Sequence, residues 1–175
     1  MAVSLYRASV PVYIRGLNNL TGLLDKAEEF LAAQGGSPDD LIQARLAADM
    51  HPFSRQIQSV SDTAKGGGAR LSGTEIPSFA DDETTFAELR ERIAKTIRFL
   101  EGISPASIDE TGPDTVTLKF GPRQAEFTPE DFLFTFSLPN FFFHLTTAYA
   151  ILRHKGVPLG KMNYLGPFES VTTAA

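Results

Sequence analysis

The chain has no cysteine and only three histidines in 175 residues. The first absence removes disulfides, thiolate nucleophiles and cysteine metal ligands together. The second leaves His51, His144 and His154 as the whole supply of imidazole. Basic charge is also short: 16 Lys and Arg stand against 21 Asp and Glu, a net −5. That balance excludes the electropositive surface of non-specific nucleic-acid binding. No apolar run approaches the ~18–20 residues of a membrane span. The opening Met1–Arg7 has neither the basic start nor the long apolar core of a signal peptide. The expectations are therefore no nucleic acid, no membrane and a cytoplasmic protein. Internal repeats and low-complexity tracts are absent as well.

What is present is ordinary soluble-domain composition, with 42% hydrophobic and 21% charged residues. A chain of this length is most simply one domain, 1–175, large enough to bury a core without staples. Residues 4–34 read as a long helix, because Tyr6, Val10, Tyr13, Leu17, Leu20, Leu24, Ala27 and Leu31 follow alternating steps of four and three. Pro11 predicts a bend or a late start, and Gly35-Gly36 an end. Ser37-Pro-Asp-Asp40 is a helix-start signal, from which a second helix is predicted to run to about Leu71, kinked or divided at Pro52. Gly66-Gly67-Gly68 has no preceding strand and no Gly-Lys-Ser/Thr ending, so it is read as close helix packing or fraying and not as a phosphate loop.

Residues 72–82 lack periodicity and read as a crossover. Thr85-Phe-Ala-Glu88 is a capping box that opens a third helix with Phe86, Leu89, Ile93, Ile97 and Leu100 on one face. Glu88/Arg92 and Glu91/Lys95 read as i,i+4 pairs on its solvated faces. Thr115–Phe120 alternates as a strand with Val116, Leu118 and Phe120 inward, and Gln124–Phe127 returns after Gly121-Pro122-Arg123. Thr128-Pro-Glu-Asp131 caps a short helical piece over 132–136, which is predicted to break at Pro139.

The last helix is bounded by Ser137 as a cap, Pro139 in the first turn, Gly156 at the left-handed position and Pro158 beyond it. It carries an apolar stripe of Phe141, Leu145, Ala148 and Leu152 beside a half-polar one of Asn140, His144, Thr147, Ile151 and His154. The tail from Leu159 reads as irregular, pinned by Tyr164, Leu165 and Phe168. The order helix, helix, crossover, helix, hairpin, helix makes an all-α four-helix bundle with a small β-hairpin inserted before the last helix.

His144 and His154 lie ten residues apart on one helix, roughly 15 Å along its axis, so they cannot bind one ion together. His154 is explained by favourable charge at a helix C-terminus. His144 has Asn140 one turn before it, and Asp49 or His51 could face it from the kink in the second helix. Three readings stay open. His144 is a buried, hydrogen-bonded histidine, a metal ligand, or a metal-free acid–base group. A serine nucleophile site has no strand–Gly-x-Ser-x-Gly–helix element to carry it. Phe141, Phe142 and Phe143 point about 100° apart, so not all of Phe132, Phe134, Phe136 and these three can face one core. Some must meet the hairpin, the crossover or a second subunit.

Three stretches, Ser4–Leu17, Arg45–Phe53 and Phe142–Lys161, resemble an uncharacterised bacterial group, a domain of unknown function placed among the DinB/YfiT-like four-helix bundles. The resemblance spans nearly the whole chain. It implies an up-down-down-up bundle, often dimeric, whose better-known relatives are metal-dependent transferases and isomerases with three histidines in the bundle interior. Carried over by position, it implies His144 as one ligand, Asn140 in place of another, and Asp49 or His51 as the third. Asn is a poor ligand for zinc or nickel, so a divalent metal is expected to be weakly bound or absent. The expected function is a small-molecule-binding protein or enzyme with an interior polar pocket and a weak or degenerate metal site. The alternative is a non-catalytic dimerising module with a vestigial pocket. A homodimer is expected, burying about 1,200–2,000 Å² or more in total.

Overall fold

The computed structural model describes residues 4–168. Helix α1, Leu5–Gln34, starts where the Ser4 side chain accepts from the Arg7 N–H, and ends at Gly35, whose φ of 73° a glycine adopts without strain. Pro11 is absorbed inside the helix and does not delay its start. The predicted stripe is the core face: Val10, Tyr13, Leu17, Leu20, Leu24 and Ala27 are fully buried.

The second predicted helix needs correction. Only α2, Asp39–Ile42, follows the Ser37 signal, and residues 43–52 are not helical. Of the two expected outcomes at Pro52, division and not a kink is what occurs. Pro52 takes the N-cap position of α3, Phe53–Ser72, with extended angles, and the Phe53 N–H turns back to the Ala44 carbonyl at 2.8 Å. A proline has no N–H to continue a ladder and holds its predecessor out of helical angles, so the chain starts afresh after it.

Helix α4, Phe86–Glu101, opens on the predicted capping box, with Thr85 accepting from the Glu88 N–H and Glu88 accepting from the Thr85 N–H. A short helix α5, Pro105–Asp109, follows. Strands β1, Val116–Phe120, and β2, Arg123–Phe127, pair antiparallel with Val116 opposite Phe127 and Leu118 opposite Ala125. Val116 and Leu118 are buried against the bundle, the support a lone hairpin requires.

After α6, Pro129–Asp131, the chain does not break at Pro139. It passes through a π-helical segment, Phe132–Ser137, directly into α7, Leu138–His154. The Leu138 N–H bonds the Leu133 carbonyl, five residues back. Pro139 has no N–H for the carbonyls one turn earlier, and the ladder widens there. Ser137 is accordingly helical and not an N-cap. Gly156, with φ of 92°, ends the run as expected. The tail is less irregular than predicted: α8, Lys161–Leu165, docks on α1 through Arg15 to the Leu165 carbonyl and Asn19 to the Tyr164 carbonyl. Residues 169–175 of that tail lie outside the described residues.

The four long helices close a ring: α3 packs on α4 and α7, and α1 completes it against both. Among the described residues no helix is long and apolar enough to cross a membrane.

Candidate functional site

The π-helical segment and the polar stripe of α7 together meet α3 in three rungs. His144 Nδ1 lies 2.7 Å from Gln56 Oε1, Asn140 donates to Thr63 Oγ1 at 2.8 Å, and Ser137 packs on Gly67. Residue numbers rise along α3 as they fall along α7, so the two helices run antiparallel. Gly67 is required at the third rung. A Cβ there would stand 2.7 Å from both Ser137 Oγ and Tyr13 Oη. Those two oxygens are themselves 2.7 Å apart in a buried hydrogen bond. Burial drives the Tyr13 phenol far above its ordinary value, with Ser137 opposing weakly, so it stays protonated.

The first rung prepares an imidazole. Gln56 Nε2 donates to the His51 carbonyl at 3.1 Å, which turns its Oε1 toward His144. An amide oxygen only accepts, so Nδ1 carries the proton and Nε2 keeps its lone pair. Burial, then the nearby charges of His51 and Arg55, hold the His144 imidazole below the ordinary histidine value. The ring is neutral near pH 7, and among the described residues no hydrogen-bond partner occupies Nε2, which can accept a proton, a hydrogen bond or an ion.

The other predicted residues are placed less deeply. His144 and Asn140 are half-buried, while Asp49 and His51 are exposed on the non-helical segment before α3. The four do not enclose an interior pocket, and the site is instead a half-buried seam at the edge of the bundle. Among the described residues no three of His, Asp and Glu gather as a metal ion would need. His154 lies in the last turn of α7, as expected.

Sequence reasoning missed Gln56, Thr63 and Tyr13 as partners, and misread Ser137. The available signal was on α3, where Gln56, Thr63, Gly67 and Arg70 recur at helical steps as a second, polar stripe beside Phe53, Ile57, Val60 and Ala64.

It also misplaced Arg92. That residue is not on a solvated face with Glu88. It is 2% exposed, and its guanidinium reaches Asp62 at 2.7 Å, Asp81 at 2.9 Å and Glu83 at 2.9 Å, and the Ala80 carbonyl at 2.7 Å. Lys65 joins the cluster, bonded to Asp62 and to the Pro77 carbonyl. Together they strap the crossover onto α3 and α4. Glu91 pairs with Arg98 at 2.8 Å.

Residues 5–165 match the family described as Domain of unknown function (DUF1993). A solved DinB family member protein from Shewanella denitrificans is 40% identical, over 96% of this chain and 95% of its own, with a TM-score of 0.89. No protein of curated function matches.

Proposed function

Because the chain belongs to the family Domain of unknown function (DUF1993), a group of the DinB-like four-helix bundles, we propose that it is a small-molecule-binding bundle whose chemistry centres on His144. The observation that carries this reading is the relay from the His51 carbonyl through Gln56 to His144 Nδ1. It fixes one tautomer and frees Nε2, the arrangement that suits an imidazole base or ligand.

A divalent ion fits this donor set only in part. His144 supplies one prepared nitrogen and His51 lies near enough to be felt electrostatically. Asn140 is engaged by Thr63 and Asp49 is exposed. Zinc or nickel binding through His144 and His51 is therefore weak and reversible, and no chemical step is assigned to it.

The test is the melting temperature of wild type, His144→Ala and His154→Ala with zinc, nickel or EDTA. Wild type and His154→Ala are expected to shift upward with metal and return with EDTA, while His144→Ala does not respond. No shift of wild type would reject the metal. His144→Ala should also cost about 1–3 kcal/mol without metal, since it strands the Gln56 oxygen.

A second reading, the dimerising module, is favoured by Leu46, Phe142 and Phe143, which are 42%, 38% and 57% exposed. With Thr146, Thr147 and Ala150 they line one shallow hollow of about 440 Å³. A second copy of the chain is the proposed occupant. Light scattering at tens of micromolar should give twice the 19.1 kDa chain mass, and Phe143→Asp should halve it. A wild-type monomer would remove this reading.

A further inference from the structure

We propose that the hollow between the C-terminal half of α3, the π-helical segment and β1 is a binding site for a small organic anion, a carboxylate or a phosphate ester carried on an apolar body. The hollow holds about 220 Å³, and Thr63, Gly67, Arg70, Leu118, Lys119 and Phe132 are among its walls. Two of these are cations, and neither Arg70 nor Lys119 forms an ion pair among the described residues. The other half-buried or buried arginines and lysines near the crossover are compensated: Arg92, Arg55 and Lys65 each hold a carboxylate. Among the described residues Arg70 has only the Gly66 carbonyl, at 3.1 Å. Half-burial without a counter-charge holds its guanidinium below the ordinary arginine value. A guanidinium placed this way lacks a bidentate acceptor, and carboxylate and phosphate are the groups that fit its fork.

The backbone clears space for it. A Cβ on Gly66 would stand 2.6 Å from Arg70 Nη1, so that glycine lets the guanidinium lie back on its own helix. Gly67 does the same for the Ser137–Tyr13 pair at the floor. The π-helical segment brings Phe132 and Ser137 to one side. Leu118 and Phe132 face the polar wall with apolar surface, and a ligand of mixed character satisfies both. Asp62 also borders the hollow, but its carboxylate is taken by Arg92 and Lys65. The hollow shares Thr63, Gly67 and Ser137 with the second and third rungs of the seam, while its cation Arg70 lies roughly 21 Å along α3 from Gln56, the partner of His144.

Isothermal titration of the whole chain with benzoate, phenyl phosphate and the neutral isostere benzamide tests this. Saturable binding of benzoate or phenyl phosphate is expected at up to ~10 mM, with benzamide at least ~10-fold weaker. Whichever head binds more tightly identifies the source as carboxylate or phosphate ester. Arg70→Gln should weaken binding about tenfold or more, the loss of a charge-assisted bond. Lys119→Gln, at an exposed position of β1, should weaken it severalfold, and serves if Arg70→Gln does not fold. His144→Ala should leave anion binding unchanged, which separates this site from the one proposed above. Benzamide binding as well as benzoate, an unaffected Arg70→Gln, or no saturable binding of either anion would overturn the proposal.

Discussion

Arg92→Ala is expected to lower stability by about 3 kcal/mol, near the lower end for removing one partner of a buried ion pair. The figure stays there because Asp62 and Asp81 keep 37% and 40% of their side-chain surface, and water screens what remains. For a chain of this size that is a fall of roughly 6–12 °C in Tm. Three carboxylates, those of Asp62, Asp81 and Glu83, lose their common cation at once, and the Ala80 carbonyl loses its donor. Arg92→Lys should not rescue. An ammonium is a point charge and cannot span three acceptors as a planar fork does.

The gap between wild type and Arg92→Ala should also depend on pH. Partial burial pushes the Asp81 carboxyl up, but the Arg55 and Arg92 guanidiniums outweigh it and hold it below the ordinary carboxylate range. A carboxylate depressed in the folded state adds stability above its unfolded pKa and loses it as pH falls through the folded one. The gap should be full near neutrality and close progressively below about pH 4. Urea denaturation of both proteins across that range measures it. A loss under about 1 kcal/mol at pH 7 would mean that apolar contacts alone hold the crossover.

Phe141→Ala should cost about 3–5 kcal/mol, the range for emptying a phenyl site in a packed core. Phe141 is fully buried and meets Tyr13 edge-on with ring centroids 5.1 Å apart. Its ring tip occupies the place where α1 has no side chain. A Cβ on Gly16 would lie 2.6 Å from Phe141 Cε1 and Cζ, and 3.3 Å from Leu145 Cδ2. Gly16→Ala should therefore destabilise by about 1–3 kcal/mol through overpacking, less about 1 kcal/mol regained from helix propensity. The two sites should couple. Gly16→Ala with Phe141→Leu should lose about 0.5–3 kcal/mol less than the sum of the single changes, because the shorter side chain withdraws from the new methyl. Additive losses in chemical denaturation would show that the ring does not depend on that glycine.

The parts of the fold that could be read from the sequence are those whose causes are local. Thr85 and Glu88 reach each other within one turn, and β1 and β2 alternate around a tight turn at Gly121. The apolar stripes of α1 and α4 need only their own spacing. The failures share the opposite cause. The expected helix over 37–52 was decided by Pro52 and by Phe53 bonding back to Ala44, a closure that no window of propensity contains. Arg92 has Glu88 one turn away, yet its partners come from α3 and the crossover, 30, 11 and 9 positions distant. At the candidate site, His144 and Asn140 stood out by type and spacing, but Gln56 and Thr63 did not, because a glutamine and a threonine on a helix look solvated until the facing helix is known.

The π-helical segment has a consequence for how the chain tolerates insertion and deletion. Its wide turn holds one residue more than an α turn, so the last helical run carries two phases in series. The part before Ser137 is phased to the hairpin, through Phe132 against Phe127. The part after it is phased to α3, through Asn140 and His144. Deleting one residue between them could be absorbed by an ordinary α ladder, leaving the backbone fully bonded. The two faces would then keep roughly their present phase, whereas a regular α ladder over the undeleted segment would turn them about 100° against each other, and the hairpin could no longer cover α3 while the seam stayed closed.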